Sequence, residues 1–305
     1  MERQPCPNDG CPAWIHTLIK LAAREGDMAD VAQAFVPGHV TGFFTINPDP
    51  DPTRAGSRGA GITLSDGVTV TVRPASEARV VLNGEKLRME AVERTLRALE
   101  LRAEVRGVTD LPLGAGFGVS GAMALGGALA ANAAFDRRLS ENELVTIAHG
   151  AEVEAGTGLG DVVAQARGGV PIRLEPGGPQ DNLLDGIPAQ ERVEYHVIGD
   201  LSTDDVLTGD TDAITEAGKT ALSSVVGEPT MAQFMQASRQ FSRESGLLTP
   251  EVKAVIADVI EAGGAAAMAM LGETVVALDS GLSDAGYDPE VCRIHDAGAT
   301  VQPMD

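Results

Sequence analysis

Glycines at 114, 116 and 118 alternate through LPLGAGFGVSG (111–121), between a strand-like run and a small-residue helix. Residues without a Cβ accept positive φ, so successive backbone N–H groups can turn inward and cradle an anion. The positive end of the following helix strengthens that cradle, which suits a di- or triphosphate. Ser120 falls in the first turn, where its hydroxyl either reaches a phosphate-bound metal or caps the helix. Asp161 follows a second glycine turn (Gly156, Gly158, Gly160) within GTGLGDVVAQARGG (156–169). A carboxylate there either caps the short helix it opens or meets an acceptor hydroxyl, to orient it or take its proton. Glu152 and Glu154 lie just upstream, as hard oxygen ligands for magnesium or as a solvated helix face. His39 in PGHVTG (37–42) is a candidate for substrate contact, set against a local structural role.

Two other nucleotide readings fail on the order of elements. GFGVSG (116–121) fits the dinucleotide fingerprint, which needs a strand after the helix ending in an acid about 20 residues on. A second helix follows instead, opened by the acids at that distance, Glu141 and Glu143. AITEAGKT (213–220) ends like a nucleotide loop, but Ala213 stands where its first Gly belongs and the stretch reads as mid-helix.

The elements that must position these residues come in blocks. AQAFV, GFFTI, GITL, VTVTV and ARVVL predict short strands between Val31 and Val81, with PDPDPTRAGSRG (48–59) as a loop. Met89, Val92, Leu96 and Leu99 predict a helix over 85–99. AEVRGV (103–108) reads as a strand, AMALGGALAANAAF (122–135) as a helix able to pack closely, and Ser140 with Glu143 as a capping box opening a helix through Glu154. VPIRL is a strand, and PGGPQDNLLDGIPAQ (176–190) reads as a domain boundary. Beyond it come a strand at 193–199, helices over 211–226, 230–245 and 250–262, a hairpin around Gly272–Glu273, and strand character in CRIHDAGATVQ. Val252, Val255, Ile256, Val259 and Ile260 form one apolar face. The fold class is α+β.

Composition excludes several functions. The 305 residues carry 23 Lys+Arg against 44 Asp+Glu, a net charge of −21 that repels nucleic acid. Only Lys20, Lys86, Lys219 and Lys253 are lysines, and such acidity with Arg replacing Lys suggests a cytoplasm kept at high salt. No apolar run approaches the ~18 residues that span a bilayer. Cys6, Cys11 and Cys292 form no disulfide framework, and nothing resembles a signal peptide, so a cytoplasmic location is expected. Residues 1–27, with Trp14 and an amphipathic stretch to Ala23, read as an extension ahead of Met28.

LPLGAGFGVSGA resembles the phosphate-binding motif P-x-G-x-G-L-G-S-S-A of the GHMP kinases, a family of small-molecule kinases. Pro112, Gly114, Gly116, Gly118, Ser120 and Ala122 agree; Phe117 and Val119 depart. The resemblance implies two domains, over 28–185 and 190–305: a mixed β/α nucleotide-binding domain and an α/β sandwich with the active site in the cleft between. It implies that ATP is held by Pro112, Gly114, Ala115, Gly116, Gly118, Val119 and Ser120, and Mg²⁺ by Ser120 with Glu152 or Glu154, while Asp161 meets the acceptor hydroxyl. The first motif, PGHVTGFF (37–44), lacks the Lys or Arg and the Gly-Glu-His ending usual in the family. That variant, with EVEAGTGLGDVVAQARGG and MAMLGETVVAL, is similar to the archaeal branch that phosphorylates pantoate for coenzyme A synthesis. Pantoate is then the implied substrate, with His39, Arg58 and Thr157 as candidate contacts, and a homodimer is implied. The third motif is degenerate, represented by Gly263–Gly264 and the turn at Gly272. Mevalonate, homoserine and shikimate kinases are the alternatives on this scaffold, and a non-catalytic nucleotide-binding regulator is the alternative from another class.

Overall fold

The computed structural model describes residues 30–199 and 211–302; the expectations for residues 1–27, with Cys6, Cys11 and Trp14, lie outside these residues. Two antiparallel strands, β1 (Ala32–Phe44) and β2 (Gly59–Pro74), form the spine of the larger sheet. Four of the five short runs expected here merge into these two. Their alternating side chains bury one face, Ala34, Val36, Val68, Val70 and Val72. The register shifts between Pro37 and Gly38, where Pro37 pairs with Gly67 but Gly38 with Leu64. Proline has no amide to give the ladder, and a bulge at such a point re-aims the next side chain. That side chain is His39.

The predicted helix over 85–99 needs correcting. β3 (Arg79–Leu82) turns through Asn83 and Gly84, at φ of 50° and 86°, into β4 (Glu85–Leu87), and only then does α1 (Glu90–Ala98) begin. Asn-Gly readily takes the two positive φ values of a tight hairpin, which overrides the helical spacing of the apolar residues. β5 (Ala103–Val108) runs parallel to β3 and antiparallel to β2. The larger sheet has the order β12-β1-β2-β5-β3-β4, where β12 is Thr300–Gln302; β6 (Val170–Glu175) and β7 (Leu183–Ile187) extend it beside β2. The stretch 176–190, read as a domain boundary, contains the paired strand β7.

Helix α2 (Val119–Ala134) starts three residues before its expected position and is buried nearly all round, as its small apolar residues require. It packs on β1 and β2, with α1 and α3 (Glu141–Ala155) against its other side. The Ser140–Glu143 capping box opens α3 as predicted. Helix α4 (Asp161–Arg167) follows the second glycine turn.

A smaller sheet, ordered β11-β8-β10-β9, comprises β8 (Arg192–Gly199), β9 (Ala266–Ala269), β10 (Glu273–Leu278) and β11 (Glu290–Arg293). Helices α5 (Thr211–Gly227), α6 (Met231–Glu244), α7 (Pro250–Glu261) and the short α8 (Gly281–Asp284) accompany it. Val252, Val255, Ile256 and Val259 of α7 are buried, but Ile260 is exposed, so the apolar face is narrower than predicted. Helix α6 lies on β1, packing Phe234 against Phe43 and Phe241 against Phe44 with their rings tilted. No helix among the described residues is long and apolar enough to cross a membrane.

Candidate active site

The two glycine turns face one another across a cleft of about 270 Å³. Its wall runs from Leu113 and Gly114 to Ser120, then Gly156 to Asp161, and it includes Thr41 and Ser57. Arg173 of β6, with Met270 and Leu271 from the β9–β10 turn, completes it. The first turn is shaped as its glycines predict: φ is 87° at Gly114 and Gly116 and 63° at Gly118, all left-handed. Gly118 caps α2, and the Gln165 side chain donates to its carbonyl at 2.9 Å. The amino end of α2 thus opens into the cleft. Val119 lines it, whereas Ala115 is buried, with its carbonyl accepting from Thr274 Oγ1 at 2.9 Å. Pro112 stands outside the lining. Ser120 Oγ donates to Thr157 Oγ1 at 3.2 Å, bridging the turns.

The two candidate metal glutamates separate. Glu154 is turned away and pairs with Arg94, 2.8 Å distant. Glu152 is 1% exposed and neither carboxylate oxygen has a hydrogen-bond partner. Its burial first, then the charge of Asp161, push its pKa well above the usual carboxylate range, against the smaller opposing influence of the Val162 amide. Gly121 and Gly158 leave room for it, since a Cβ on either would sit 2.7 or 2.6 Å from Oε1. A buried carboxylate held without partners beside a phosphate cradle fits a hard cation. No cluster of three or more His, Cys, Asp or Glu that could hold a metal occurs among the described residues. The remaining ligands would then have to be Ser120, phosphate oxygens and water.

Asp161 opens α4 and lines the cleft. Burial alone would raise its pKa, but the His39 hydrogen bond, the nearby Arg173 and the Thr41 hydroxyl hold it below the ordinary aspartate value. His39, expected to touch substrate, is instead fully buried behind Asp161, with Nδ1 2.6 Å from Oδ1. Thr157 does line the cleft. Arg58 is tied to Glu175 at 2.5 Å.

Arg173, absent from the sequence-based candidates, contributes the one cationic side chain to the cleft wall among the described residues. It is 1% exposed, and its Nε and Nη1 lack partners. Burial pushes its pKa down to about 10, with Asp161 opposing. An unpaired guanidinium facing a cavity is poised for a carboxylate or phosphate. The available signal was a lone cation in an apolar strand, VPIRL. Ser57 was missed as well, because nothing in the loop 48–58 marks it.

A glycine turn at a helix amino end and a carboxylate share one cleft, with a second, shielded carboxylate packed against both glycine turns, a site of the kind a phosphotransferase needs. Residues 86–169 match the family described as "GHMP kinases N terminal domain". The pantoate kinase of Thermococcus kodakarensis is 35% identical over 81% of this chain and 87% of its own length. That of Methanocaldococcus jannaschii is 33% identical over 86% and 99%. A solved structure described as "Phosphotransferase related to CoA biosynthesis pathway" superposes with a TM-score of 0.80 at 30% identity, covering 89% of this chain and 98% of that one. The homoserine kinase of Cytophaga hutchinsonii shares the fold, with a TM-score of 0.67 at 16% identity over 92% of this chain and 100% of that one. The chain belongs to the GHMP kinase family, within its pantoate kinase group.

Proposed function

We infer that this enzyme transfers the γ-phosphoryl group of ATP to the 4-hydroxyl of pantoate. The observation that carries the substrate is the likeness, across more than four-fifths of the chain, to relatives named pantoate kinases. The chemistry of the cleft agrees with it. Pantoate bears a carboxylate, for which Arg173 offers unpaired N–H donors, and two methyls, for which Phe44, Leu159 and Leu271 offer apolar wall.

The backbone of Gly114–Ser120 and the amino end of α2 would hold the triphosphate. Ser120 and Glu152 would hold Mg²⁺, which when bound neutralises charge on the transferring phosphoryl. Asp161 orients the 4-hydroxyl and receives its proton as the oxygen bonds to phosphorus and the bridge to ADP breaks. Positioning and charge neutralisation supply most of the rate in such transfers, so the cradle matters at least as much as the base.

The test is ATP consumption in molar KCl with pantoate, mevalonate, homoserine and shikimate in parallel. Turnover with pantoate alone is expected, with formation of 4-phosphopantoate. Preference for another acceptor overturns the substrate, and nucleotide binding without turnover on any acceptor overturns the kinase.

A further inference from the structure

His39 sits where the two halves of the site meet, yet it lines no part of the cleft. Its backbone N–H donates to the Phe117 carbonyl in the phosphate turn at 2.9 Å, and its ring contacts Asp161 at 2.6 Å. We propose that His39 is a positioning residue: as a neutral imidazole protonated on Nδ1, it pins Oδ1 of Asp161 and leaves Oδ2 to meet the acceptor hydroxyl. This inference rests on the reading of Asp161 as the group that meets that hydroxyl.

The tautomer follows from the partners. An ionised carboxylate only accepts, so the shared proton belongs on Nδ1. Nε2 is buried without any partner, and a second proton there would have no acceptor. Burial, the largest influence, lowers the pKa of His39 and outweighs the pull of Asp161. The ring cannot swing away easily. His39 faces Thr63 in the β1–β2 register, and a Cβ on neighbouring Gly61 would lie 2.2 Å from Nε2. The bulge after Pro37, the bare backbone at Gly61 and the register of β1 therefore aim one N–H at one carboxylate oxygen. Being neutral, this donor orients Asp161 without adding a positive charge, and Arg173 remains the cation of the cleft.

The experiment compares His39→Asn, His39→Gln and His39→Leu with the parent enzyme, measuring kcat and KM for pantoate and ATP. An Asn amide can reach near the Nδ1 position, whereas a Gln amide reaches nearer Nε2. The leucine variant is expected to lose roughly 10²-fold in kcat, as befits a misplaced reacting group, with the ATP KM unchanged. Asn is expected to restore most of that loss and Gln little of it. A folded leucine variant with parental kcat overturns the proposal, as does equal impairment of Asn and Gln. If leucine prevents folding, judged by circular dichroism, the Asn–Gln comparison alone decides. A parent without turnover on pantoate sinks the functional reading itself, which separates that failure from the failure of His39.

Discussion

Glu152 illustrates how far a single residue can be read in the sequence. Its position near a glycine turn made it a metal candidate alongside Glu154, and only the fold separates the two. One is clamped by Arg94, and the other is sealed in without a partner. A buried carboxyl without partners destabilises a fold, whether it stays ionised or must take up a proton, so Glu152→Gln is expected to stabilise the metal-free protein by about 1 kcal/mol while abolishing magnesium-dependent turnover. Chemical denaturation and initial rates check the two halves separately. Asp161→Ala is expected to lower kcat by roughly 10²–10⁴-fold while nucleotide binding survives, since the backbone donors of the cradle remain; unchanged turnover would remove Asp161 from the mechanism. His149 makes a different prediction. It is fully buried, donates from Nε2 to the Ala55 carbonyl at 2.9 Å, and burial pushes its pKa down to about 4. The unfolded chain therefore binds a proton below pH 6.5 that the folded one refuses, so stability falls as pH drops from 6.5 towards 4. The loss from this residue is about 3 kcal/mol. His149→Gln keeps the donor to Ala55 and is expected to flatten that part of the pH–stability curve.

Elements whose cause is local were legible. The capping box at Ser140, the glycine turns and the apolar stripe of α7 each lie within a dozen or so residues of chain, and each forms as expected, apart from exposed Ile260. The hairpin at Asn83–Gly84 was equally local, but the helical spacing around it concealed the turn. What stayed hidden depends on distant pairing. Arg173 reaches the cleft because β6 joins β2, and His39 meets Asp161 across 122 positions of sequence. At this scale the phosphate turn gives the sharpest prediction. Gly116 has φ of 87°, and a Cβ there would lie 3.0 Å from the Met270 carbonyl. Gly116→Val is therefore expected to weaken ATP binding at least tenfold, measured by calorimetry, through a strained turn and a narrowed cradle. Unimpaired affinity would place the triphosphate elsewhere.

Over the whole molecule, a net charge of −21 makes the folded state self-repelling unless ions screen it. The thermal midpoint is expected to rise steadily from dilute buffer to molar KCl, and a flat response would remove the reading of a high-salt protein. The global pairing of strands has a consequence of another kind. β12 lies against β1, and just before it the backbone around His295 exchanges hydrogen bonds with Thr63 of β2. During translation, β1 and β2 leave the ribosome long before their last neighbour is made. Until then the nascent chain carries a bare sheet edge next to its future catalytic centre, open to pairing with another nascent copy. Late closure of that seam makes the interval before β12 emerges one in which this protein needs protection from aggregation.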